Sequence, residues 1–167
     1  KENIYKSHDV KELTNLPAVS RAGKIIGWAV PLLILLLIGS TFLLDISSGL
    51  SQIGSWVLWT GLLAALGTII AMGHPLSVLT AFLAAPITAL HPLLAAGWFA
   101  GLCEAYLRKP SVEDLENLPK DIFTFKGFWH NRVTHILLVI AIANIGASIG
   151  TFIGGIDIVR KLMELIS

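Results

Sequence analysis

The stretch from Gly73 to Lys109, GHPLSVLTAFLAAPITALHPLLAAGWFAGLCEAYLRK, constrains this chain more than any other. It carries no charged side chain before Glu104, yet Pro75, Pro86 and Pro92 interrupt it. A proline inside a helix removes a backbone hydrogen bond and clashes with the preceding turn. It also pushes the residue before it out of the α region. The stretch therefore cannot be one undisturbed helix. His-Pro occurs at 74–75 and again at 91–92, each time ahead of an apolar run. Proline at a first helical position, with histidine just outside, reads as two helix starts. The expectation is two short helices, 76–90 and 93–107, joined by a non-helical break from Pro86 to Pro92.

Composition places these helices in a membrane rather than in a soluble core. Hydrophobic residues make up 54% of the chain and charged residues only 14%. Apolar runs at 25–44, 53–72 and 133–155 each match a hydrocarbon layer about 30 Å thick at about 1.5 Å per residue. The predicted fold is all-α: a polytopic integral membrane protein with three full spans and a Pro-broken re-entrant helical hairpin. Trp28, Trp56 and Trp59 sit near span ends and suit an interfacial aromatic belt. A net charge of +1 gives no argument for nucleic acid. One cysteine, Cys103, excludes an intramolecular disulfide.

Basic residues set the expected topology. Five lie in 1–24, none in 45–52, five in 104–132 and two in 156–167. Cytoplasmic loops carry the excess of Lys and Arg, so the N-terminus and the 110–132 loop are expected inside, in the cell membrane. That holds only if the broken stretch enters and returns, and a 15-residue helix of about 22 Å is too short to span comfortably. A single crossing would instead put the five basic residues outside. Residues 1–24 read as a linker from a soluble domain that the chain lacks, 25–155 as the membrane domain, and 156–167 as an amphipathic tail on the outer surface.

Polar residues in such surroundings are the candidate sites. Thr88 and His91 at the break either tie off backbone groups or form a ligand or proton site at a helix N-terminus. His74 lies nearer the interface. Glu104 is a functional candidate because acidic groups in a membrane are costly, although Arg108 four residues on offers an interfacial ion pair. Asn144 in the last span can bridge helices or touch a substrate. Gly97 and Gly101 let a second helix approach closely, as does the ridge Gly146, Gly150, Gly154. That ridge is expected to meet either the Gly97–Gly101 arm or its own copy in a homodimer. Ser111 with Asp114 has the spacing of a helix-capping pattern. Gly127 to His130 spells an isolated G-x-x-H. No H-E-x-x-H spacing or other metal or cofactor motif is present.

HPLSVLTAFLAAPITALHPLLAAGWFAGLCEAYLRKPSVEDL, KGFWHNRVTHILLV, ANIGASIGTFIGG and LPAVSRAGKIIGWAVP together resemble the membrane region of archaeal-type TraB/PrgY family proteins, from Leu13 to Gly155. The resemblance implies an N-terminal soluble domain related to TIKI-type metallohydrolases, and a family name drawn from members that shut down peptide sex-pheromone signalling. His130 and His135 stand where the resemblance leads one to expect basic residues. The reading that follows is a membrane domain that anchors, and through self-association assembles, its own N-terminal soluble domain. The alternatives are a small-solute transporter or channel-like unit binding around His91, and an intramembrane hydrolase using His74, His91 and Glu104.

Overall fold

Every element that the computed structural model describes, over residues 21–167, is a helix. Residues 1–20 of the expected linker lie outside the described residues. Helix α1 (Arg21–Leu44) is followed after Asp45 alone by α2 (Ile46–Ile70), which forces the two into an antiparallel pair. Asp45 makes so short a turn workable. Its carboxylate accepts from the Ser48 N–H at 2.7 Å and the Ser47 hydroxyl at 2.6 Å, capping α2. Those bonds, the Ser47 hydroxyl first, hold its pKa down at about 2.

Helix α2 ends in a turn that normally takes glycine. The Gly73 N–H reaches the Thr68 carbonyl at 2.9 Å and the Met72 N–H reaches Ile69 at 2.8 Å. That double bond pattern is a Schellman closure, whose pivot residue is left-handed. Met72 occupies the pivot at φ 56°. His74 then caps α3 (Pro75–Thr88) through Nδ1, with Pro75 at a first-turn position.

The break differs from its expected position. Pro86 lies inside α3, and the non-helical segment is 89–95, with α4 (Ala96–Arg108) beginning four residues beyond Pro92. So His91-Pro92 does not start a helix. Pro86 has no N–H for the Phe82 carbonyl, and that oxygen faces Gly61 on α2, where a Cβ would come within 2.9 Å. The Pro86 carbonyl in turn accepts from the Trp56 indole at 3.4 Å. Trp56 is thus a core residue, only 3% exposed, and not part of an interfacial belt.

Two small helices, α5 (Val112–Asp121) and α6 (Phe125–His130), lead into α7 (Arg132–Ile166). Ser111 and Asp114 form a reciprocal capping box on α5. Asn131 caps α7 and ties the short helices to it, donating to the Asp114 carbonyl at 2.6 Å and the Asp121 carboxylate at 2.9 Å. Helix α7 continues through the stretch 156–167 as one helix of 35 residues.

Helices α2 and α7 form the central antiparallel pair. Going down α7, Ile142 meets Gly67, Gly146 meets Leu63, Gly150 meets Trp59 and Thr60, and Gly154 meets Trp56. The glycine ridge therefore packs on α2, and not on the Gly97–Gly101 arm. Gly97 and Gly101 face a different stretch of α7, at Ile140 and Asn144. Buried alanines fill the space among α2, α3, α4 and α7, so backbones rather than long side chains make the core. Outward, α1, α2 and α7 present leucine and isoleucine. Each is long and apolar enough to cross a membrane.

Two outcomes are expected from this packing. A Cβ at Gly150 would sit 2.7 Å from the Thr60 Cα, so Gly150→Leu should cost about 1–3 kcal/mol or more, read as a lower Tm at unchanged oligomer size. Gly39→Ala, where a Cβ meets nothing within 4 Å, should leave Tm equal or higher. For the Asp45 cap, a depressed pKa means its stabilisation is complete above the ordinary carboxylate value near 3.8 and is lost as pH falls through about 2. Asp45→Asn should flatten that part of an acid-unfolding profile.

Candidate functional site

The polar centre of the molecule is the base of the α3–α4 hairpin. Glu104, in the last turns of α4, is fully buried. Oε2 accepts from the His74 backbone N–H at 2.8 Å and the Ser77 hydroxyl at 2.6 Å. Oε1 accepts from Arg108 Nε one turn further on. His135 Nε2, in the first turn of α7, lies 3.6 Å from the same oxygen. One carboxylate thus joins the α2–α3 turn, α3, α4 and α7.

Arg108 is bifunctional. While Nε holds Glu104, Nη2 donates to the Met72 carbonyl at 3.2 Å. Arg132 makes the corresponding bond to the Lys109 carbonyl at 3.2 Å. Met72 and Lys109 are the two non-glycine residues with left-handed backbone among the described residues. Such a conformation carries a strain of order 1 kcal/mol or more, and each is braced here by an arginine from a neighbouring helix end. Arg108 keeps 39% of its side chain exposed while Glu104 shows none. The pair therefore runs from the surface into the core.

His135 is the other buried titratable group. Its side chain is 3% exposed, and neither ring nitrogen closes a hydrogen bond. The backbones of Met72 and Trp129 lie beside the ring. Among the described residues no three His, Cys, Asp or Glu side chains converge as a metal-holding group.

The hairpin tip is a separate place. His91 stacks edge-on against Trp28 of α1, ring centroids 5.5 Å apart, and Gly27 lies against Pro92. His91 therefore does not join His74 and Glu104, and His74 reaches the carboxylate only through its backbone N–H. Asn144 Oδ1 accepts the Gly97 N–H at 2.7 Å, serving the uncapped start of α4. The Thr88 hydroxyl bonds back to Ala84 at 2.9 Å. These groups border a cleft of about 440 Å³ with Ser148 and Thr151. The tip is open at Leu93, which is 71% exposed rather than enclosed by protein. Its backbone closes instead through local turns, from Leu90 to Ile87, His91 to Thr88 and Leu94 to His91.

Sequence reasoning passed over Ser77 and gave His135 no role. The available signal was the placement of each inside the first turn of an apolar helix, where polar groups need partners.

Glu104→Gln should remove the negative charge and leave one of its three donors without an acceptor. Loss of one partner of a buried pair costs about 3–5 kcal/mol, and partial exposure of Arg108 moves the expectation to the lower end. The check is thermal unfolding in detergent. A change below about 1 kcal/mol would mean that the charge is not what holds the base together.

Comparison with known proteins gives the chain a family. Residues 22–163 match the model of the C-terminal domain of TraB family proteins, and the chain belongs to that family. A curated relative, an uncharacterised protein of Methanocaldococcus jannaschii, is 42% identical over 99 residues, which is 58% of this chain and 25% of the relative. The match thus spans about a quarter of the relative's length. No solved structure matches.

Proposed function

We propose that this TraB-family C-terminal domain is a polytopic membrane module that holds the remainder of its protein at the bilayer. Its three long helices cross, and α3–α4 enters and returns from one side. The observation that carries this reading is the distribution of charge along the helices. Described charged residues cluster at the helix ends: Glu104, Arg108 and Arg132 at one end, Asp45, Asp157, Arg160, Lys161 and Glu164 at the other. Between them the exposed side chains of α1, α2 and α7 are overwhelmingly apolar. A surface of that kind is far beyond what a soluble monomer exposes.

The re-entrant path is supported by the depth of the tip. Gly97 at the start of α4 meets Asn144, which lies between the contacts Gly67–Ile142 and Leu63–Gly146 on the central pair. The tip therefore turns back midway along α2 and α7. Helices α3 and α4, 14 and 13 residues long, reach only about 20 Å. With the base of the hairpin on the cytoplasmic side, ten of twelve basic residues lie inside. In this reading the soluble part implied by the family is attached through residues 1–24.

A solute-binding reading rests on the cleft bordered by Thr88, Asn144, Ser148 and Thr151. It ranks second, because the Thr88 and Ser148 hydroxyls donate to carbonyls of their own helices and Asn144 serves Gly97.

Single cysteines at Ser48 and Ser111, in a Cys103→Ala background, test the orientation in intact cells. An impermeant thiol reagent is expected to label position 48 from outside and position 111 only after permeabilisation. Labelling of both from outside would overturn the re-entrant path.

A further inference from the structure

His135 and Glu104 together make a device that anchoring alone does not require. We propose that His135 is a proton-operated latch at the base of the α3–α4 hairpin. The neutral imidazole packs closed beside Glu104, and its protonation opens the junction of α4, α7 and the turn before α3.

The argument starts from what faces the ring. From α4 come the Glu104 carboxylate and the Arg108 guanidinium. The backbone of Met72 comes from the α2–α3 turn and that of Trp129 from α6. His74 shares the same carboxylate through its backbone N–H. On the ring's own helix, Arg132 turns away to the Lys109 carbonyl. Glu104 is already engaged by three donors, and Arg108 neutralises it.

A proton added to the closed ring would create a second cation beside Arg108. Glu104 Oε1 stands 3.6 Å away, too far for a hydrogen bond, and the ring's other polar neighbours are the backbones of Met72 and Trp129. A buried charge without a bonded partner is costly. Neither ring nitrogen closes a hydrogen bond in the closed state, so packing rather than hydrogen bonding holds the neutral ring there. Opening is also local. The exposed part of Arg108 marks the water-facing edge of the cluster, and the contacts to be released are those between the first turn of α7 and the last turns of α4.

The test is backbone hydrogen exchange of the domain in nanodiscs at about pH 7.5 and about pH 5.5, on either side of the histidine range, after correction for intrinsic exchange rates. In the wild type, amides of 72–78 and 104–109 are expected to lose protection on acidification, by up to about tenfold per pH unit for one proton taken up on opening. Amides of the α2–α7 contact around Gly146 and Gly150 should keep theirs. His135→Gln, which cannot take up a proton in this range, should abolish the acid response, and His74→Gln should leave it intact. Should His135→Arg fold, it is expected to expose the same amides at both pH values; protection equal to that of the wild type at pH 7.5 would overturn the latch. An acid response that survives His135→Gln would also overturn it. So would a wild-type profile that is flat or gains protection.

Discussion

A carboxylate with no access to water has to be surrounded by donors, and that requirement at Glu104 organises one whole end of the molecule. Four groups converge on it from the α2–α3 turn, α3, α4 and α7. The α2–α3 turn, α3 and α4, which supply its hydrogen bonds, could not separate without leaving a buried charge short of partners, a loss of several kcal/mol. Arg108 extends the same constraint outward, because it also stabilises the left-handed Met72 that closes α2. The sharp exit from α2, the start of α3 and the end of α4 are thus consequences of one buried charge.

The opposite end of the hairpin solves a different problem. Prolines and a turn remove regular backbone bonds at 86–95, and such groups are expensive to leave open in an apolar setting. Several are met individually. The Pro86 carbonyl takes the Trp56 indole, the turns at Leu90, His91 and Leu94 close on themselves, and Asn144 serves Gly97. Partners come from α2 and α7 as well as from the hairpin itself, so the broken segment is seated on the central pair. Leu93 at its tip points outward.

Between the two ends, packing depends on the absence of side chains. Gly67, Gly97, Gly101, Gly146 and Gly150 each lie where a Cβ would strike a neighbouring helix. Their cost in helix propensity, about 1 kcal/mol each, is offset by dispersion contacts that only touching backbones allow. Since the Gly146–Gly150–Gly154 face is covered by α2, it is not free to form a two-fold interface.

The sequence by itself determined the all-helical class, the three long apolar helices, the breaking of the 73–109 stretch and the capping box at Ser111. Each depends on neighbours close along the chain: helical periodicity, proline's missing N–H, or a side chain reaching three residues on. The TraB/PrgY resemblance too was legible, because whole motifs carry it. Only the tertiary structure decided that Pro86 stays inside α3, that Trp56 is core, that the glycine ridge faces α2, and that α7 runs on to Ile166. It alone brought Ser77, Glu104 and His135 together and kept His91 apart, beside Trp28. The pairs concerned lie tens of residues apart in sequence. Which helix face meets which depends on close packing of all of them at once, a property no local window contains.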